Sequence, residues 1–186
     1  MAQAALLTKL TYEDFLGFPE DGRRHELIDG DHYVSPSPNT KHQRLVLNLA
    51  AALVGFTRPR SLGQVFCAPM DVVLSDFDVV EPDVLFVARE RLSIITEDNL
   101  IAAPDLMVEV LSDSTRRRDE ITKRHLYERF GVREYWVVDP QIDVVKVYRL
   151  EGERLLKKEE LSLEERGTLT TPLLPGLEIP VERIFE

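Results

Sequence analysis

Cysteine is almost absent from this chain. Cys67 stands alone among 186 residues, so an internal disulfide and a cysteine-built zinc cage are both excluded. Long apolar runs are lacking too. The longest, residues 45–56, is interrupted by Asn48 and falls short of the roughly 20 residues a membrane span needs. Residues 1–7 carry neither a basic opening nor a long apolar stretch, so no signal peptide is expected and the cytoplasm is the expected location. No glycine-rich phosphate loop, HExxH or GxSxG occurs, and His25, His32, His42 and His125 lack the spacing of zinc ligands.

What is present belongs to a folded chain. Hydrophobic residues make up 44% and charged residues 30%, a balance that separates it from disordered sequences. At this length a single domain over residues 1–186 is expected. Lys and Arg number 23 against 33 Asp and Glu, a net charge of −10. That charge argues against a protein that coats nucleic acid, because phosphate contacts need Lys and Arg. The charges are not evenly spread. Residues 61–88 hold Asp71, Asp76, Asp78, Glu81 and Asp83 with no Lys or Arg, whereas Arg116, Arg117, Arg118, Lys123 and Arg124 crowd one short segment.

Local patterns predict a mixed α/β fold. Thr11 is placed to cap a short helix, and Asp29-Gly30 suits a tight turn between strands at 25–28 and 31–34. Asn39 or Thr40 can cap a helix reaching about residue 56, with Val46, Leu49, Leu53 and Phe56 on one face. Strands are expected at 64–67, 71–74, 84–87 and 106–111, a helix over 116–130 ended by Gly131, and strands again at 135–138 and 144–150. A charged stretch over 151–166 and a Pro/Leu-rich end complete the chain.

Glu109 is the unusual residue. Strand alternation in Leu106-Met107-Val108-Glu109-Val110-Leu111 gives two apolar faces with one carboxylate set among them. A buried carboxylate must be protonated, paired with a cation or bound to a metal. A structural salt bridge satisfies that need, and so does a shared divalent cation. Asp83 opens the neighbouring apolar strand, and two acids on adjacent strands can converge on a hard, oxygen-seeking ion. Lys123 lies on the following helix and either reaches the same cleft or makes only a surface pair with Asp119, one turn away. Glu26 in the hairpin is a candidate third carboxylate. His42 is either a packed or capping residue or a phosphate contact. Arg116, Arg117 and Arg118 either bind phosphate at a helix start or form a solvated basic face.

These residues resemble a known pattern. Glu81-Pro82-Asp83-Val84, residues 104–112, Lys123, Tyr127 and Gly131-Val132-Arg133-Glu134-Tyr135-Trp136-Val137-Val138-Asp139-Pro140 are similar to the Uma-two family of restriction-endonuclease-like proteins, within the PD-(D/E)XK nuclease superfamily. The resemblance extends to His25-Glu26-Leu27-Ile28-Asp29-Gly30, to His42 and to Leu174-Pro175-Gly176-Leu177. It implies a restriction-endonuclease-like core, a mixed sheet flanked by helices, preceded here by the hairpin and helix. It also implies a metal-dependent endonuclease hydrolysing DNA. Asp83 and Glu109, with the Val110 carbonyl, match the residues that would hold Mg²⁺ or Mn²⁺. The usual lysine, two residues after the second acid, is Leu111 in this sequence, and Lys123 is the position that matches the displaced base. Glu26 matches an accompanying acid. Two strands of DNA call for two sites, so a homodimer is expected. The alternative is a non-catalytic member of the fold, binding nucleic acid or protein, in which Glu109 pairs with Lys123 or an arginine.

Overall fold

A computed structural model describes residues 9–186. The expectation about residues 1–7 lies outside the described residues. The chain begins with a short helix, α1 (Tyr12–Phe15), then β1 (Arg24–Ile28), β2 (Asp31–Ser35) and the long α2 (Thr40–Thr57). β3 (Gly63–Cys67), β4 (Val72–Ser75), β5 (Asp78–Val80), β6 (Val84–Ala88) and β7 (Leu106–Val110) follow. A π-helical turn, Arg118–Lys123, leads into α3 (Arg124–Arg129). The chain closes with β8 (Glu134–Asp139), β9 (Val144–Glu151), β10 (Arg154–Ser162), β11 (Thr168–Leu169), β12 (Ile179–Pro180) and α4 (Val181–Phe185).

Six strands form the central sheet in the order β10-β9-β8-β7-β6-β3. Only β7 and β8 run parallel within it, and the helical crossover between them makes that geometry possible. A second, antiparallel sheet has the order β2-β1-β5-β4. At the β1–β2 turn Asp29 and Gly30 both take positive φ, 54° and 77°, as a type I′ hairpin requires. The Asp29 N–H donates to Asp78 Oδ1 at 2.8 Å, which ties the turn to β5.

The strand alternation read from sequence holds in three dimensions. Leu106, Val108 and Val110 pack towards Leu45, Leu49 and Leu53 of α2, joined by Trp136, Val138 and Ile184. Met107 and Leu111 pack on the opposite face with Tyr127, Tyr135 and Val137. Glu109 therefore points to the α3 side of the sheet. Several elements depart from expectation, among them β11, β12 and α4 in the tail. The helix over 116–130 is not uniform, since its first part is a π turn. β5 and β10 were not anticipated: β5 is only three residues long, and β10 is a mostly exposed edge strand whose charged sequence gives little apolar period. Among the described residues no helix is long and apolar enough to cross a membrane.

Leu49 has no exposed surface and sits between α2 and the sheet. Leu49→Ala is expected to lower the unfolding free energy by about 2–5 kcal/mol in urea titration. A change below about 0.5 kcal/mol would contradict this packing.

Candidate functional site

Both sheets and two helices supply side chains to one buried cluster. β1 contributes Arg24 and Glu26, which alternate along the strand and so share a face. The segment between β5 and β6 contributes Glu81 and Asp83, the end of β7 contributes Glu109 and Val110, and the π turn contributes Arg118, Asp119 and Lys123. α2 adds His42 from its first turn, where Asn39 Oδ1 accepts the His42 N–H at 2.9 Å and fixes the helix start.

Lys123 is the centre of the acids. Its Nζ lies 2.8 Å from Glu109 Oε1, 2.7 Å from Glu26 Oε1 and 3.7 Å from Asp119 Oδ1, and its side chain is only 2% exposed. The Tyr127 hydroxyl donates to the same Glu109 oxygen at 2.7 Å. Asp119, Lys123 and Tyr127 are spaced four apart, so one helical face carries all three to the sheet. The surface-pair alternative for Lys123 is thus excluded by its burial. Glu26 also accepts the Glu81 N–H at 3.0 Å, linking the two sheets through one carboxylate.

Asp83 has a separate set of partners. Val110 N–H donates to Oδ2 at 2.8 Å, His42 Nε2 lies 3.2 Å from the same oxygen, and Arg24 Nη1 lies 2.5 Å from Oδ1. The predicted helix-start arginines part company. Arg118 turns inward, 2.5 Å from Ser35 Oγ, 3.4 Å from Glu26 Oε2 and over the Tyr33 ring. Arg116 is forked onto Asp139 at 2.5 and 2.8 Å, and Arg117 is exposed.

Charge does not balance in this cluster. Five buried carboxylates, Glu26, Glu81, Asp83, Glu109 and Asp119, face three cations, Arg24, Arg118 and Lys123. Burial pushes the Glu109 carboxyl up to about 8 despite the attraction of Lys123, with Asp119, Asp83 and Glu26 adding repulsion. Burial, Asp71 and Glu26 push Glu81 up to about 7. Asp83 goes the other way. His42, Arg24 and the Val110 N–H outweigh its burial and hold it below the ordinary carboxylate value. Burial alone would lower the Lys123 ammonium, but Glu109, Glu26 and Asp119 hold it above its ordinary range. Lys123 is therefore a fixed charge and not a proton acceptor.

The cluster surrounds a cavity of about 170 Å³. Of six buried side-chain atoms without a hydrogen-bond partner among the described residues, four line it: His42 Nδ1, Glu81 Oε2, Arg118 Nε and Asp119 Oδ1. Such atoms are rare in folded proteins, and their concentration marks a place for a polar ligand. Two of the four are carboxylate oxygens, and the excess charge around them is negative, which fits a hard divalent cation. Among the described residues no three His, Cys, Asp or Glu side chains already converge as a ligand set, and Arg24 and Lys123 stand on Asp83 and Glu109. Arg24, Glu81, Asp119 and Tyr127 were not singled out as site residues from the sequence. The spacing of four between Asp119, Lys123 and Tyr127 was the available signal, whereas nothing local links Arg24 to Asp83.

The family model Uma2, described as "Putative restriction endonuclease", matches residues 12–182. The fold is similar to the crystal structure of "a putative nuclease belonging to DUF820" from Anabaena variabilis ATCC 29413, at 20% identity and a TM-score of 0.78, covering 95% of this chain and 97% of that one. A weaker likeness, at 15% identity and a TM-score of 0.40, is to the type IIG restriction endonuclease BpuSI, over 77% of this chain and 15% of that protein. No protein of curated function matches the chain.

The raised carboxyls make stability depend on pH. The folded chain binds these protons more tightly than the unfolded one, whose glutamates have an ordinary value of 4.5. Their contribution is complete below that value and is lost as pH rises through about 7 for Glu81 and about 8 for Glu109. Urea unfolding of the metal-free protein is expected to show stability declining from pH 5 to pH 9, with Glu81→Gln flattening the acidic half of that decline. An unchanged slope in the variant would contradict the assignment.

Proposed function

The chain belongs to the Uma2 family, and on that premise we propose that it is a nuclease hydrolysing phosphodiester bonds in DNA with a divalent cation. The observation that supports this most is the buried excess of carboxylates around a cavity with four unsatisfied polar atoms. Asp83, Glu109 and the Val110 carbonyl would hold Mg²⁺ or Mn²⁺. When bound, the cation supplies Lewis acidity, acidifying a water and steadying charge on the phosphate.

The protein's own groups have separable tasks. Hydrolysis forms one bond from a water oxygen to phosphorus and breaks one phosphorus–oxygen ester bond, leaving a phosphate monoester and a free hydroxyl. Lys123, always charged, counters the negative charge that grows on the non-bridging oxygens and orients Glu109. Glu26 holds Lys123 in place through its 2.7 Å contact while its link to Glu81 fixes the cavity wall. The Val110 N–H and His42 fix one oxygen of Asp83, and the other, which Arg24 holds in this structure, would be the coordinating one. Arg117, exposed on the same segment, and Arg118, which lines the cavity, would serve as phosphate contacts, and the Arg116–Asp139 fork braces that segment. In this proposal residues 1–186 act as one domain, pair as a homodimer to address two strands, and work in the cytoplasm.

A second reading has its own support. The Lys123–Glu109 contact at 2.8 Å is the ion pair a non-catalytic member of the fold would use, with its acids purely structural. Nicking of supercoiled plasmid in Mg²⁺ or Mn²⁺ separates the two. The wild type is expected to nick, and Asp83→Ala and Glu109→Ala are each expected to slow it by about 10²–10³-fold, the typical effect of removing one electrostatic contributor. Equal nicking by all three proteins overturns the site, and no nicking together with no Mn²⁺ binding in calorimetry favours the structural reading.

A further inference from the structure

Arg24 occupies a position that neither task explains. Asp83 has two oxygens. Oδ2 is committed, because a peptide N–H from Val110 and the His42 ring both stand on it. Oδ1 has Arg24 at 2.5 Å, so a cation that takes Asp83 by its other oxygen meets the positive guanidinium already on it and is repelled by it. Arg24 is also the cation best able to leave. Its side chain is 24% exposed, against 12% for Arg118 and 2% for Lys123. Departure needs somewhere to go. A second cavity of about 300 Å³ adjoins the acid cluster and shares Arg24 and Glu81 with it, and Arg23 and Gln43 stand on its outer wall. That space lies next to the acids, and two arginines and Gln43 share its lining with three prolines and an alanine. A guanidinium turned into it presents the planar fork that matches phosphate oxygens.

We propose that Arg24 is a tethered counter-cation, holding Asp83 until a divalent ion takes Oδ1, then turning into the adjoining cavity to bind a phosphate of the substrate strand. The proposal rests on the cation reading of Asp83 given above. It makes Arg24 a positioning residue with two opposed effects. As a competitor it weakens cation binding to the free protein. As a phosphate contact it strengthens substrate binding once the cation is present. Cation and strand then favour one another, since each binds the arrangement in which Arg24 has left Asp83.

Two titrations test it with Arg24→Ala, Arg24→Gln and the charge-retaining Arg24→Lys, each first checked for wild-type circular dichroism. Calorimetric titration with MnCl₂ is expected to give about tenfold tighter binding in the Ala and Gln variants, the effect of about 1.4 kcal/mol, and near wild-type affinity in Arg24→Lys. Anisotropy of a short labelled single-stranded oligonucleotide, with Ca²⁺ replacing Mg²⁺ to keep it uncut, is expected to show at least about fivefold weaker binding in Arg24→Ala. The slope of log affinity against log salt should be smaller by about one phosphate contact. Mn²⁺ affinity that is unchanged or weaker in Arg24→Ala, with the wild type binding normally, overturns the proposal and leaves the nuclease reading standing. Unchanged oligonucleotide binding overturns its phosphate half. Absence of Mn²⁺ binding in the wild type and every variant removes the cation from Asp83 and overturns both.

Discussion

Lys123 carries a positive charge into the interior, and three carboxylates from three separate elements must share it. Glu26 comes from the smaller sheet, Glu109 from the centre of the larger one, and Asp119 from the helical crossover. A lone buried ammonium costs several kcal/mol even after relaxation, so these elements cannot drift apart without exposing or orphaning it. The ion cluster therefore ties the two sheets together, alongside the apolar packing of Ile28, Val72 and Val80 against Leu85 and Met107. It is also unbalanced, because one ammonium and two arginines do not neutralise five carboxylates. The raised affinities of Glu81 and Glu109 for protons offset part of the excess in the metal-free protein. A divalent cation would do the same work while releasing those protons.

The arrangement also explains an atypical feature of the sequence. The residue two positions after Glu109 is Leu111, and it is buried among Met107, Tyr127 and Val137 on the α3 side of the sheet. A lysine there would have to displace that packing. The parallel pairing of β7 with β8 requires a helical crossover, and the crossover passes over the same face. Its π turn carries Lys123 and Asp119 together towards Glu109, consistent with the habit of such turns to gather at functional sites. The helix thus delivers a positive charge to the Glu109 carboxylate.

Much of this was legible in the chain itself. The alternation in residues 106–111 set Glu109 with Met107 and Leu111 on one strand face, the Asp-Gly pair marked the hairpin, and Asn39 or Thr40 marked the start of α2. These are local rules with local causes. What stayed hidden was long-range. Arg24 meets Asp83 across 59 residues, and no periodicity encodes that contact. Glu81 looked like a turn residue before Pro82 until the packing of two sheets buried it. The π turn was invisible because a single helical period describes both kinds of helix too coarsely. Net charge is a coarse guide for a related reason. The value of −10 describes the whole surface and interior together, whereas five of the acids are buried around one cavity, where their charge favours a cation and not the rejection of a phosphate.

The central claim is that the acid excess at Asp83 and Glu109 is a cation site. The most direct measurement is anomalous scattering from crystals equilibrated with Mn²⁺. The account predicts a Mn²⁺ peak bridging Asp83 Oδ1, a Glu109 oxygen and the Val110 carbonyl, with the Arg24 guanidinium turned away from Asp83. Crystals at saturating Mn²⁺ that show no peak there, with Arg24 still on Asp83 and Lys123 still on Glu109, would contradict it.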